Sequence, residues 1–305
     1  MKLSPVEHPG PRARNRLATI CGRGITRRAT LPPGRPLMDA LAGAVASTAA
    51  EVGVSCTSGF AEFHGGTLSD VSYCYPTLGT AAQPMPYGDT VVARDAQIIA
   101  GSAVIGRRVL PDDGGMERWS HLHLLWKDST AALRAGHLWP ETKTGSPPVT
   151  ADITVVTGMD FVNAIDPETQ LPVFHARRAH LSDCAEPRRL FFDCAFTRVA
   201  PNVEIHAAIT EVCRRAGWAR ARVRAGTGSL IGATLEDPVS GARMQVDGTA
   251  TEVVTLSGVH VEGERLHLDA TLIGSRGAVV SGRLSPTGNI VAATYDLILE
   301  RLDPA

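Results

Sequence analysis

Residues 120–138 read SHLHLLWKDSTAALRAGHL and hold three histidines, His121, His123 and His137. Alternate residues of a strand face the same way, so an HxH pair projects two imidazoles together. If the chain returns as a hairpin through residues 132–139, His137 joins them from the neighbouring strand. Three imidazoles on one face suit a divalent ion, zinc above others, at nitrogen distances of about 2.0–2.1 Å. Three protein ligands leave a position for water or substrate, which is the catalytic rather than the structural zinc pattern. Gly136 beside the third histidine permits close backbone approach. The competing reading is a polar sheet face whose histidines bond to solvent or to a partner subunit, and HxH alone does not decide between them.

A second pair of chemical interest is Glu62 and His64 in SGFAEFHGGTL, again two residues apart. These residue types can serve as a general acid–base pair near a metal-bound water, as catalytic candidates. The plain alternative is a surface strand with ordinary polar residues.

The elements that must hold these groups recur along the chain. PLMDALAGAVASTAAEV and PNVEIHAAITEVCRRAG each open on a proline and precede a glycine or end on one, with apolar residues at helical spacing. Each is followed by a short β-like run and a glycine-rich segment read as a turn, HGGTL at 64–68 and GTGSL at 226–230. Further on, HLH at 121 is followed by GHL at 136, and HLD at 267 by GRL at 282, with the same spacing in both halves. RLHLDATLIG alternates with Leu266, Leu268, Ala270 and Leu272 on one face, and Leu122, Leu124 and Trp126 do the same opposite His121 and His123. Such period-2 patterning predicts antiparallel sheet with one buried face. The fold class read here is α/β of the α+β type, two tandem modules over residues 1–184 and 185–305, each a mainly antiparallel sheet flanked by helices. The counterparts of the triad in the second module are His267, Asp269 and Arg283; a guanidinium has no lone pair to donate, so that site reads as degenerate.

Bulk properties agree with a folded protein. The 305 residues exceed a typical single core, 44% are hydrophobic and 20% charged, and the formal net charge of −1 argues against a large nucleic-acid footprint. Arg12, Arg14, Arg16, Arg23, Arg27, Arg28 and Arg35 crowd the N-terminal segment, a solvated or interface-bound basic strand more than an anion site. Six cysteines are scattered without a CxxC pair and read as reduced, mostly buried thiols. Neither a signal-peptide core nor an apolar run of roughly 20 residues is found, so the expectation is a cytoplasmic protein without a membrane span.

HLHLLWKDSTAALRAGHL resembles the signature of the plant and prokaryote conserved (PPC) domain, an HxH strand leading through a hairpin to a G-G-H-L return. The preceding helix, HGGTL, GTGSL and DPETQLPVF are similar to further features of that family. The resemblance implies an α/β fold with a mainly antiparallel sheet, a homotrimer, and a metal site on His121, His123 and His137. The sequence departs from the pattern at Ala135, in place of the first glycine, and at Asp269 and Arg283, in place of histidines. Plant relatives join the domain to AT-hooks; the nearest match here, PPGRP at 32–36, has Pro33 where the first arginine belongs and precedes a helix.

The expected function is thus a homotrimeric metal-binding protein, leaning to a metal-dependent hydrolase or lyase acting on a small polar molecule. The alternative is a non-catalytic regulatory or DNA-associated binding protein, with direct nucleic-acid contact disfavoured by charge.

Overall fold

The computed structural model describes residues 5–54, 56–77, 79–80, 84–110, 114–179, 192–246 and 250–302. The first half runs β1 (Leu17–Leu31), α1 (Leu37–Glu51), β2 (Gly59–Gly65), β3 (Thr67–Cys74), β4 (Val91–Val109), β5 (Met116–Lys127) and β6 (Leu133–Leu138). It continues through β7 (Lys143–Thr144), β8 (Val149–Thr157), β9 (Met159–Ile165) and β10 (Pro172–Arg178). The second half holds β11 (Cys194–Val199), α2 (Ile205–Ala216), β12 (Arg220–Leu230), β13 (Ala233–Glu236) and β14 (Arg243–Val246). It ends with β15 (Thr251–Val261), β16 (His267–Gly274), β17 (Val279–Arg283) and β18 (Val291–Arg301).

The molecule is mostly antiparallel β-structure, with two helices among the described residues; helix is sparser than the α/β reading expected. The reason is local: the polar segments between strands are short turns, and only the two proline-led stretches carry an apolar helical stripe. In α1, Leu37, Leu41 and Val45 are fully buried; in α2, Ile205, Ile209 and Val212 are. Gly217 closes α2 in the left-handed conformation, φ 68°, which glycine adopts without steric cost.

Strand order shows how the halves relate. The long sheet runs β17-β16-β15-β12-β18-β11-β1-β8-β2-β4-β5-β6-β3-β7, so the path outward from the β11–β1 join passes strands in the same sequence order on either side. Irregularities match as well. The β4–β5 ladder slips between Ile98 and Ala100, just beyond the Ser102–His123 pair, and the β15–β16 ladder slips between Val253 and Thr255, just beyond Ser257–Asp269. Hairpin registers correspond: His123 faces His137, and Asp269 faces Arg283. The segment GTGSL is not a turn but lies inside β12, where a side chain at Gly226 would collide with the Tyr295 ring. The junction placed near residue 185, and Cys184 beside it, lie outside the described residues.

β1 joins the halves. Its residues Leu17–Gly22 pair with β11, and Arg23–Leu31 pair with β8. Each half has its own core, the first around Leu122, Leu124, Trp126 and α1, the second around Leu268, Leu272, Leu297 and α2. A third cluster contains Phe60, Val104 and Phe161 of the first half with Phe196, Ala225 and Ile298 of the second. The Phe161 and Phe196 rings lie 4.6 Å apart between centroids. Burying side chains of this size contributes about 1.5–3 kcal/mol each, so the halves form one packed body.

Candidate metal centre

The β5–β6 hairpin sets the three histidines as its alternation demands. Leu122, Leu124 and Trp126 point into the first core and are fully buried, which drives His121 and His123 to the opposite face. Asp128 holds the turn, accepting hydrogen bonds from the Thr130 and Ala132 amides and from Arg134. The return strand then brings His137 directly across from His123. Side-chain donor atoms of the three residues all lie within 4.8 Å of one another, a grouping that can hold a metal ion.

This face is not an open polar surface. The second half of the chain covers it: Leu125 and Ala135 pack with Val254 and Ile273, and His123 and His137 are almost wholly buried. No neighbouring subunit is needed to wall the site, contrary to the expectation of a face open to solvent or to a partner.

Residues of the second half also orient the rings. The Asp296 carboxylate, fully buried, accepts from His121 Nδ1 at 2.8 Å, and Thr227 Oγ1 lies 3.2 Å from the same nitrogen. The Val253 carbonyl accepts from His123 Nδ1 at 2.7 Å, which places that ring's proton on Nδ1 and its lone pair on Nε2. His123 Nε2 is 3.3 Å from His137 Nδ1. Two nitrogens bound to one tetrahedral ion at the usual zinc distance sit about 3.3–3.4 Å apart, so the spacing fits a shared cation. Buried His137 Nε2 has no hydrogen-bond partner among the described residues. Burial, then the neighbouring histidines, pushes His137 well below the ordinary imidazole range; burial chiefly, with His121 next, pushes His123 down to about 3. Both rings are therefore neutral at neutral pH, the state a ligand needs.

Glu252 completes the inner wall. It is buried, its Oε1 stands 4.0 Å from His123 Nε2, and its Oε2 has no hydrogen-bond partner among the described residues. Burial raises its carboxyl to about 8. The cavity holds about 80 Å³ and is bounded further by Tyr87, Trp119 and Trp139, with Met85, Leu171 and Val173. The Tyr87 ring lies 4.9 Å from His137, and Trp139 lies 4.7 Å from it on centroids.

The other candidate residues are placed elsewhere. Glu62 accepts two hydrogen bonds from Arg224, at 2.9 and 2.5 Å, and His64 Nε2 is 2.9 Å from Asp152, which also binds Arg28. Neither Glu62 nor His64 lines the cavity. Their type suits acid–base work, but Glu62 is engaged in an ion pair with Arg224 and His64 in a polar contact with Asp152. In the second half, Arg283 pairs with Asp269 at 3.1 Å, and His267 and Asp269 are exposed. Sequence reasoning missed Glu252, Asp296 and Thr227. The available signal was a single carboxylate in each of two apolar stretches, TEVVTL and AATYDLIL, since a buried acid needs a partner or a purpose.

Solved structures similar to the chain include a plant- and prokaryote-conserved (PPC) protein from Pyrococcus horikoshii, 19% identical, covering 37% of this chain and 80% of that one, TM-score 0.33. A candidate DNA-binding protein from Ralstonia eutropha is 18% identical over 48% of this chain and 89% of that one, TM-score 0.36. A metal-containing protein from Archaeoglobus fulgidus is 16% identical over 51% and 95%, TM-score 0.33. No curated protein matches. Residues 191–303 match the model of the Plants and Prokaryotes Conserved (PCC) domain, a span that holds His267, Asp269 and Arg283 and excludes the histidine triad. Over those residues the chain carries a Plants and Prokaryotes Conserved domain.

Proposed function

We propose that His121, His123 and His137 bind one divalent metal ion, zinc first among candidates, in a cavity between two modules of the same kind. The matched strand order and ladder slips support reading the first half as a second copy of the domain, and a homotrimer of such chains is part of the proposal. The observation that carries the metal reading is geometric: donor atoms of the three imidazoles lie within 4.8 Å of one another, with buried His123 Nε2 3.3 Å from His137 Nδ1.

The activity that best suits the site is hydrolytic or lyase-type chemistry on a small molecule with a polar head. A bound ion would supply Lewis acidity at its open position. Asp296 fixes the His121 tautomer and ring plane, as a carboxylate behind a metal-bound histidine commonly does. The Val253 carbonyl does the same for His123. Glu252, rather than Glu62 or His64, is the group placed to hold or release a proton beside the triad. Aromatic and proline side chains border the space in which that exchange would take place.

Elemental analysis of gel-filtered wild type, His137→Ala and Arg283→Ala tests the proposal. Near-stoichiometric metal in the wild type and Arg283→Ala, lost in His137→Ala, supports it. A wild type without metal after reconstitution sinks it and favours a binding role, for which a salt-dependent shift on nucleic acid is the next observation.

A further inference from the structure

We infer that the cavity beside the triad takes an uncharged molecule with a flat apolar body and one metal-seeking head, not an anion. The inference depends on the metal reading for the head group and for the exclusion of cations; the walls speak for the rest. Pro76, Met85, Pro86, Leu171, Pro172 and Val173 are apolar, and Tyr87, Trp119 and Trp139 present aromatic surface. Neither lysine nor arginine is among the described lining residues. The acids at the site are Glu252 on the wall and Asp296 behind His121.

An anionic ligand would enter a mostly apolar cavity with no guanidinium or ammonium among the described lining residues to pair with it. Desolvating an unpaired charge in such surroundings is costly. The buried Asp296 carboxylate behind His121 already offsets part of a divalent cation's charge, so the ion only partly substitutes for a basic side chain. A cationic ligand would meet the ion itself. An uncharged head carries neither penalty, and an apolar ring gains contact with the walls. Hydrogen-bonding capacity for it remains: Trp139 Nε1 is buried without a partner among the described residues, and Asn163, Ser229 and Thr294 border the space. Size limits the ligand further. A volume of about 80 Å³ accommodates roughly five waters at the ~15 Å³ each requires, hence a single small ring rather than an extended substrate.

Three probes on one skeleton test this with the full-length, zinc-loaded chain: pyrazole, pyrazole-4-carboxylate and 4-(aminomethyl)pyrazole. Binding is followed by calorimetry and by tryptophan fluorescence. Pyrazole is expected to bind about tenfold or more tightly than either charged form, a difference of ~1.4 kcal/mol. Trp139→Ala is expected to lower pyrazole affinity about tenfold while zinc content stays the same. Equal or tighter binding of the carboxylate or the amine overturns the inference, as does no saturable binding of any probe or an unchanged affinity in Trp139→Ala. If zinc does not load, the metal reading fails by itself. The pyrazole and carboxylate probes are then compared on the metal-free chain, where preference for pyrazole upholds the exclusion of anions and preference for the carboxylate overturns it.

Discussion

The Asp296 carboxylate holds His121 Nδ1 at 2.8 Å although the two residues belong to different halves of the chain. The second half thus contributes to the candidate site of the first, although its own hairpin carries Asp269 and Arg283 opposite one another and not histidines. Replacing Asp296 by asparagine removes the charge while keeping the shape. Metal affinity is expected to fall by about 10–100-fold with the fold intact, read by chelator competition beside circular dichroism.

Acid should destabilise the metal-free protein through the histidines. An unfolded histidine titrates near 6.5, whereas burial holds His123 at about 3 and His137 well below 6.5. As pH falls, the unfolded chain takes up these protons first. The associated stability is full above about pH 6.5 and drains away as pH drops toward 3. Urea unfolding at pH 7 and pH 5 should show the loss, and His123→Gln should show a shallower one.

Glu252 works in the opposite direction. Its carboxyl is held at about 8 in the folded chain against an ordinary 4.5. Its contribution is full below pH 4.5 and disappears as pH rises through 8, because the unfolded state releases the proton first. Glu252→Gln should therefore gain stability relative to wild type at pH 9 more than at pH 5 in the metal-free state. Calorimetric melting temperatures at the two pH values provide the check.

The aromatic contact between the halves is open to direct measurement. Phe161→Ala empties a fully buried position opposite Phe196 and should cost about 3–5 kcal/mol in denaturant unfolding. A cost below 1 kcal/mol would mean that the halves are not held by this cluster.

Much of the hairpin was legible in the sequence because its information is local. Leu122, Leu124 and Trp126 alternate with His121 and His123 along one strand, and His137 follows after one turn, so strand period alone puts the three imidazoles together. Both helices were legible for the same reason, through their proline starts and apolar spacing. What covers the triad was not. Glu252, Val253 and Asp296 stand far along the chain, and nothing in the alternation of β15 or β18 says which distant face they meet. Glu62 and His64 misled in the converse way: their spacing suited acid–base chemistry, but Arg224 and Asp152, which occupy them, come from other strands.

β1 has a further consequence for anyone dividing the protein. Since Leu17–Gly22 complete the second half while Arg23–Leu31 belong to the first, no single cut yields two self-sufficient pieces. A fragment starting at residue 192 would expose the Cys194–Val199 edge that β1 normally occupies, an invitation to self-association. Supplied in trans, a peptide of residues 15–24 would be the natural way to restore that fragment's solubility.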